Sequence, residues 1–460
     1  MGSEQLPLRK QGIYNNLPSF STEIKGLTAI VTGANGISGF ATLRVLLESP
    51  ERWTKVWAAS RKPPPKEMMA LLTPDQRSRV EHVAVDFLSK PEDIAKELRG
   101  KGVKADHVFF YSYLQPRPDP GQPPWSNAQQ LVDTNTALLR NFTEALDLAK
   151  ITPKRFVLQT GAKNYGVHLG PHRSPATESD PRVTLAPNFY YPQEDILYKY
   201  CEAHNIGWNI ICPAWILGAV TGAAMNILLP LAIYAAVQAQ KGEKLEFPGD
   251  LELWLGPSEH SSAKLTGYLT EWAALEDKCR NQKFNASDTC PLPHNRLWPE
   301  LASWYGAPGS NTPDLDEAKY TVVGTKDVVP TPLGYGPGRQ LRFAWTLVGW
   351  AHEPENQKAW KEIMQKNGLK YNPFDDIEPN FEFGDAAAWG LAASLSMNKA
   401  RYFGFAGHVD TLESMHAVCG EFSKLGLSTG LRVRVRVRVR VRVRVRVRVR
   451  VRVRVRVRVR

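Results

Sequence analysis

The stretch Leu27–Ser49, LTAIVTGANGISGFATLRVLLES, decides how the chain is read. It opens with an apolar, β-branched run, turns on glycines, and continues with apolar residues at three- and four-residue spacing, the pattern of a strand, a tight turn and a helix. Gly33, Gly36 and Gly39 form GxxGxxG. In a dinucleotide-binding turn the first glycine permits the tight bend, the second lets a pyrophosphate approach the backbone, and the third lets helix and strand pack closely. The helix N-terminus then presents free N–H groups and the positive end of its dipole to phosphate.

Working outward, TKVWAASRKPPP supplies a second strand ending in Arg61 and Lys62. NAD-binding chains carry an acid there for the ribose 2′-hydroxyl, whereas the planar fork of an arginine suits a 2′-phosphate, so NADP is expected. VEHVAVDFLSK gives a third strand with Asp86 placed to touch adenine, ADHVFFYSYLQ a fourth and KRFVLQTGAKNYG a fifth. Helical segments such as AQQLVDTNTALLRNFTEALDLAK alternate with them. The expected fold is α/β, a doubly wound parallel sheet of the NAD(P)-binding Rossmann type, followed by a smaller, mostly helical C-terminal substrate domain.

The expected organisation is an extension over 1–24, the NADP-binding domain over 25–220, and a substrate-binding region over 221–430 that returns segments to the sheet. Within that last region a Gly/Pro-rich loop over 307–339 is expected to act as a mobile cover. Residues 431–460 form a low-complexity Arg-Val tail read as disordered or spurious. The net charge of +12 is due to that tail: without its 15 arginines the 58 basic residues fall to 43, against 46 acidic ones. A nucleic-acid partner is therefore not expected.

From Ile206 to Gln240 there is no charged residue, but Pro213, Gly218, Gly222, Asn226 and Pro230 interrupt the run. It reads as a buried strand, WNIICPAWILG, and a pocket-lining helix, MNILLPLAIYAAVQAQ, with no membrane span. The five cysteines form no CxxC pair and His168, His172 and His204 lack ligand spacing, so no metal is expected. The first residues have no apolar core of a secretory signal, and a cytoplasmic location is the expectation.

Short-chain dehydrogenases pair a tyrosine with a lysine four residues on, one helical turn away. None of the 15 tyrosines here has that lysine; Tyr190 and Tyr191, in NFYYPQEDIL, have Glu194 and Asp195 instead. Lys163, at the end of the fifth strand, is the best alternative cation, although a lysine after a strand is commonly just solvated. Asn135 either orients backbone near the strand ends or caps a local turn.

GANGISG, ASRKPPP, TGAKNYG, NFYYPQEDIL, PAWILG, MNILLPLAIYAAV and FNASDTCPLPHNRLWPELASWYG, in this order, together with FGD at Phe383–Asp385 and FGF at Phe403–Phe405, resemble the progesterone 5β-reductase/iridoid synthase-like (PRISE) family of extended short-chain dehydrogenases/reductases. The resemblance implies Tyr191 and Lys163 as catalytic residues. It implies cofactor contacts from Gly33, Gly36, Gly39, Arg61, Asp86 and Pro213, with Asn35, Ile37, Lys62, Phe87, Tyr111, Ile216, Lys163 and Tyr191 also at the cofactor. It further implies an enone reductase in which NADPH delivers hydride to the β-carbon, the Tyr191 hydroxyl stabilises the developing oxyanion, and Lys163 lowers the tyrosine pKa. Gly161 stands where carbonyl-reducing relatives carry a serine or threonine. The chain departs from the family at Cys212, usually arginine, and over Phe109–Tyr113, usually FYVTW-like. The partners expected are a small enone or enal and a second copy of the chain as a homodimer. The alternatives are an extended-family carbonyl reductase or epimerase, and a non-catalytic NADPH-binding sensor.

Overall fold

The computed structural model describes residues 6–116, 127–222, 225–324, 340–388 and 394–432. Most of the Arg-Val tail and residues 325–339 of the Gly/Pro-rich loop lie outside them.

Seven strands, β1 (Leu27–Thr32), β2 (Trp53–Ser60), β3 (Val80–Ala84), β4 (His107–Phe110), β5 (Arg155–Gln159), β6 (Gly207–Pro213) and β7 (Gln282–Ala286), form one sheet in the order β3-β2-β1-β4-β5-β6-β7. Every pairing is parallel. A parallel sheet covered on both faces needs apolar residues on both faces of each strand. The fully buried Ala29, Ile30 and Val31 and the buried run Val108–Phe110 meet that need.

Helices α1 (Ile37–Leu46) and α5 (Ala263–Leu275) pack together on one face, and α2 (Ala128–Ala149) and α3 (Tyr190–Ala203) on the other. The strand order reverses at β1, between β2 and β4, and in such a sheet the ligand crevice lies beyond the strands' carboxyl ends at that point. The predicted order of strands and helices is found.

The segment read as a pocket-lining helix forms α4 (Leu229–Lys241), buried from Leu229 to Gln238. At 1.5 Å per residue its length is about 20 Å, short of the ~30 Å of a bilayer core. No helix among the described residues is long and apolar enough to cross a membrane.

One hydrophobic core joins β1 residues such as Val31 to Trp298, Trp360 and Phe422 of the C-terminal helical region, so that region is seated directly on the sheet's flank. The described part of the N-terminal extension is also built in. Arg9–Gln11 and Tyr14–Leu17 pair as a hairpin, and Asn15 exchanges backbone hydrogen bonds with His408 at 3.0 and 3.1 Å. Of the predicted cover, Thr321–Gly324 pairs antiparallel with Gln340–Phe343.

Candidate functional site

The glycine turn between β1 and α1 has no room for side chains. Gly33 sits at φ +59°, the left-handed region, and a Cβ on it would lie 2.8 Å from the Tyr111 carbonyl oxygen; a Cβ on Gly39 would collide with the Gly33 carbonyl. Gly36 caps α1 with no side-chain hydrogen bond, so no side chain competes for the helix's first N–H groups. Asn35 and Ser60 each donate to the Lys62 carbonyl at 2.8 Å, which folds the turn carrying Arg61 and Lys62 against the glycine loop and leaves both side chains exposed. The Asn35 Oδ1 is buried without a hydrogen-bond partner among the described residues. An uncapped helix start, a cradle that a Cβ would fill, an orphaned acceptor and two exposed cations fit a phosphorylated dinucleotide.

Other expected cofactor residues are placed differently. The Phe87 ring packs in the core, 5.0 Å from Phe142 and 6.2 Å from Phe110 by centroid, so its side chain is closed to a ligand. The Tyr111 hydroxyl is buried against Thr42 Oγ at 2.7 Å, its pKa pushed up to about 12 by burial, and only its backbone borders the glycine turn. Asp86 is exposed and its carboxylate accepts from Leu88 N–H at 3.0 Å, capping a turn at the end of β3. Ile37 packs against Gly218, Pro213 ends β6, and Ile216 lies in the strand Trp215–Leu217 that pairs with His260–Ser262.

At the carboxyl end of β5 the two adjacent tyrosines part company, because successive helical residues point ~100° apart. The Tyr190 hydroxyl lies over Gly161: a Cβ at that position would be 2.9 Å from it. Its ring rests on Phe189 at 4.4 Å, which in turn touches Tyr113 at 5.6 Å. Burial, and next the nearby Tyr113, holds the Tyr190 pKa well above the ordinary phenol range.

Tyr191 instead uses its hydroxyl for structure, donating to the Asn164 carbonyl and accepting from Val183 N–H, both at 2.8 Å. Its pKa is raised by burial, and the lysine acting on it is Lys283. The expectation that Tyr191 faces the reaction with Lys163 as its acidifying cation therefore does not fit this geometry. Its phenolic proton is committed to backbone, and the hydroxyl at the strand ends is that of Tyr190.

Lys163 stands in the 3-10 turn Ala162–Tyr165, and burial depresses its pKa to about 8. Its carbonyl accepts from Asn188 Nδ2 at 3.0 Å, while Asn188 Oδ1 accepts from Tyr190 N–H at 3.1 Å. Asn135, left between two roles by the sequence, is fully buried and grips the β4 loop in both directions, to Leu114 N at 3.0 Å and Leu114 O at 2.9 Å. This fixes the loop after Tyr113. Cys212, the departure from the usual arginine, is buried with its Sγ 2.9 Å from Thr160 Oγ.

Residues 29–326 match the PRISE-like Rossmann-fold domain. The chain belongs to this family. Among its PRISE-like and short-chain relatives, a short chain dehydrogenase, gsfE, of Penicillium aethiopicum is 29% identical over 414 residues, covering 87% of this chain and 98% of that protein. The (S)-8-oxocitronellyl enol synthase of Catharanthus roseus is 26% identical over 420 residues, covering 88% and 95%. The 3-oxo-Delta(4,5)-steroid 5-beta-reductase of Arabidopsis thaliana is 27% identical over 410 residues, covering 86% and 91%.

Asn188, Tyr190 and Lys283 were not singled out as site residues from the sequence. The motif NFYYxxED held the signal for the first two, since both fall in the turn that enters α3. Nothing local marks Lys283, which arrives from β7.

Proposed function

We propose that this chain is an NADPH-dependent reductase of carbon–carbon double bonds conjugated to a carbonyl, an enone or enal. The single observation that carries the reading is the Tyr190 hydroxyl over Gly161, at the carboxyl ends of β5 and β6, with no side-chain hydroxyl at position 161 beside it. The steroid 5-beta-reductase among the relatives is named for reduction next to a 3-oxo group, which supports the same class of chemistry.

Tyr190 would donate a hydrogen bond to the substrate's carbonyl oxygen, where negative charge develops. A donor fixed in a water-poor site stabilises that charge without reorganising. An enolate is a weak base, so a phenol of high pKa serves as hydrogen-bond donor without giving up its proton fully. Phe189 and Tyr113 would wall the pocket beside it. Bound NADPH would supply hydride to the carbon β to the carbonyl.

For that cofactor, Gly33, Gly36 and Gly39 with the start of α1 would hold the pyrophosphate, and Arg61 with Lys62 the 2′-phosphate. Lys163 would place its ammonium near the cofactor's ribose and the reacting oxygen. The test is NADPH oxidation by the full chain against a panel of small enones, enals and saturated ketones. Turnover of enones or enals with loss in Tyr190→Phe is the expected result; turnover of ketones alone favours a carbonyl reductase, and binding of NADPH without turnover favours a sensor.

A further inference from the structure

Glu194 is only 3% exposed yet sits among charges. Its Oε1 accepts from Asn164 Nδ2 at 2.9 Å and from Lys283 Nζ at 3.2 Å, and its Oε2 from Arg182 Nη2 at 3.0 Å. Arg182 also reaches both oxygens of Asp195, at 2.7 and 3.1 Å. Two acids of α3 are thus matched by two cations, one from the loop before the helix and one from β7. Burying Glu194 with Lys283 carries a large desolvation cost against little net gain in stability over apolar packing, while Arg182 and Asp195 lie at the solvent-facing side of the group.

What the cluster holds is Asn164, the residue after Lys163. Asn164 is gripped at its side chain by Glu194 and Thr160, the latter at 3.2 Å, and at its carbonyl by the Tyr191 hydroxyl at 2.8 Å. The Lys163 carbonyl is held by Asn188. Three residues of one motif, Asn188, Tyr191 and Glu194, therefore clamp two consecutive residues of the turn at the end of β5. In a short-chain dehydrogenase whose lysine lies one helical turn after the tyrosine, the helix itself sets the lysine's position. Here the lysine is on a different element, and the clamp replaces the helical turn.

We infer that Glu194 is a positioning residue which, through Asn164, fixes the turn Ala162–Tyr165 and so holds the Lys163 ammonium at the reaction site, with Lys283, Arg182 and Asp195 keeping Glu194 in place. This rests on the role given to Lys163 in the proposed function. The environment of Lys163 agrees with a held side chain: burial lowers its pKa, and it in turn lowers that of His168, whose imidazole is pushed down to about 4 mainly by its own burial. A loosened turn lets the ammonium reach water, where a lysine titrates near ~10.4.

The experiment reads Lys163 directly. The full chain is labelled with acetic anhydride across a pH series and the Lys163 peptide is quantified by mass spectrometry, in the wild type, Asn164→Ala, Glu194→Gln and the double variant. Glu271→Gln, which breaks a buried Arg52–Glu271 pair elsewhere, controls for general destabilisation. The expected result is a labelling midpoint about one pH unit or more higher in Asn164→Ala and in Glu194→Gln, unchanged in Glu271→Gln, and no higher in the double variant than in either single one.

With an enone substrate, kcat falls roughly 10-fold in both single variants. If Glu194→Gln fails to fold, Asn164→Ala still decides, because it leaves the charge cluster whole. An unmoved Lys163 midpoint in folded Asn164→Ala overturns the clamp. The labelling needs no turnover, so a chain that reduces no enone but shows the shift keeps the clamp and removes the reductase reading.

Discussion

Lys163 and Tyr190 are tied to each other by one side chain: Asn188 donates to the Lys163 carbonyl at 3.0 Å and accepts from the Tyr190 N–H at 3.1 Å. The relative placement of the cation and the phenol is thus set across two elements, the end of β5 and the start of α3. Asn188→Ala removes both bonds at once. Loss of about 1–3 kcal/mol of stability is expected from the two groups left unpaired, with kcat down about 10-fold and NADPH affinity nearly kept. Denaturant melts and steady-state kinetics on the same preparation separate the two effects.

Gly161→Ser is expected to harm the enzyme without converting it into a ketone reductase. Its Cβ would stand 2.9 Å from the Tyr190 hydroxyl, closer than such contacts allow, so the ring is pushed from its place. Assays with matched enone and saturated ketone should show enone turnover falling at least ~10-fold with no gain on the ketone. Ketone reduction at a rate comparable to the original enone rate would contradict this.

Arg61→Ala bears on cofactor choice. With the turn held by Asn35 and Ser60 through the Lys62 carbonyl, the Arg61 guanidinium is expected to meet the 2′-phosphate. Losing a charge-assisted contact of ~1.5–3 kcal/mol should raise the NADPH dissociation constant roughly 10- to 100-fold and leave that for NADH within a factor of ~3. Fluorescence titration with both nucleotides measures it; equal losses would remove Arg61 from NADP selection.

The pH dependence follows from Lys163. Burial lowers its pKa to about 8, so in the free enzyme the cation is present below that pH and is lost as pH rises through it. If the ammonium is the working form, kcat/KM should be flat on the acid side and fall about tenfold per pH unit well above 8, and Lys163→Met should abolish that limb. A profile that keeps its alkaline limb in the variant assigns the limb to another group.

Most of the fold was legible because its signals are local. The glycine turn, the apolar strands and the 3.6-residue helices each depend on neighbours within a few residues, and the five strands read up to Gln159 and the buried one at Gly207–Pro213 are all found, while Gln282–Ala286 was expected only as a segment returning to the sheet. The choice between Tyr190 and Tyr191 was not legible. It depends on where α3 begins, and the N-cap position is Phe189, which makes no side-chain hydrogen bond, while the capping amide, Asn188, stands one residue earlier than the usual N-cap. One residue of uncertainty there turns a side chain by ~100°, enough to exchange the phenol over Gly161 for one bound to backbone.

At Phe87 and Tyr111 the side chains pack in the core and only the Tyr111 backbone borders the glycine turn, a division between side chain and backbone that no local sequence pattern marks. The role of Glu194 was hidden because Lys283 joins it from 89 positions away, and Arg182, which links it to Asp195, comes from the loop before the helix, with no local pattern connecting them.

The central claim, that the phenol at the reaction site is Tyr190 and that Tyr191 is structural, is tested most directly by comparing Tyr190→Phe with Tyr191→Phe in NADPH-dependent enone reduction. Loss of the Tyr190 hydroxyl should lower kcat about 10²–10³-fold, the effect of removing one oxyanion donor, with the melting temperature nearly unchanged. Loss of the Tyr191 hydroxyl, which breaks its bonds to Asn164 and Val183, should cost about 1–3 kcal/mol of stability and lower kcat no more than about 10-fold. The reverse order, with Tyr190→Phe near wild-type turnover and Tyr191→Phe inactive but stably folded, would contradict the account.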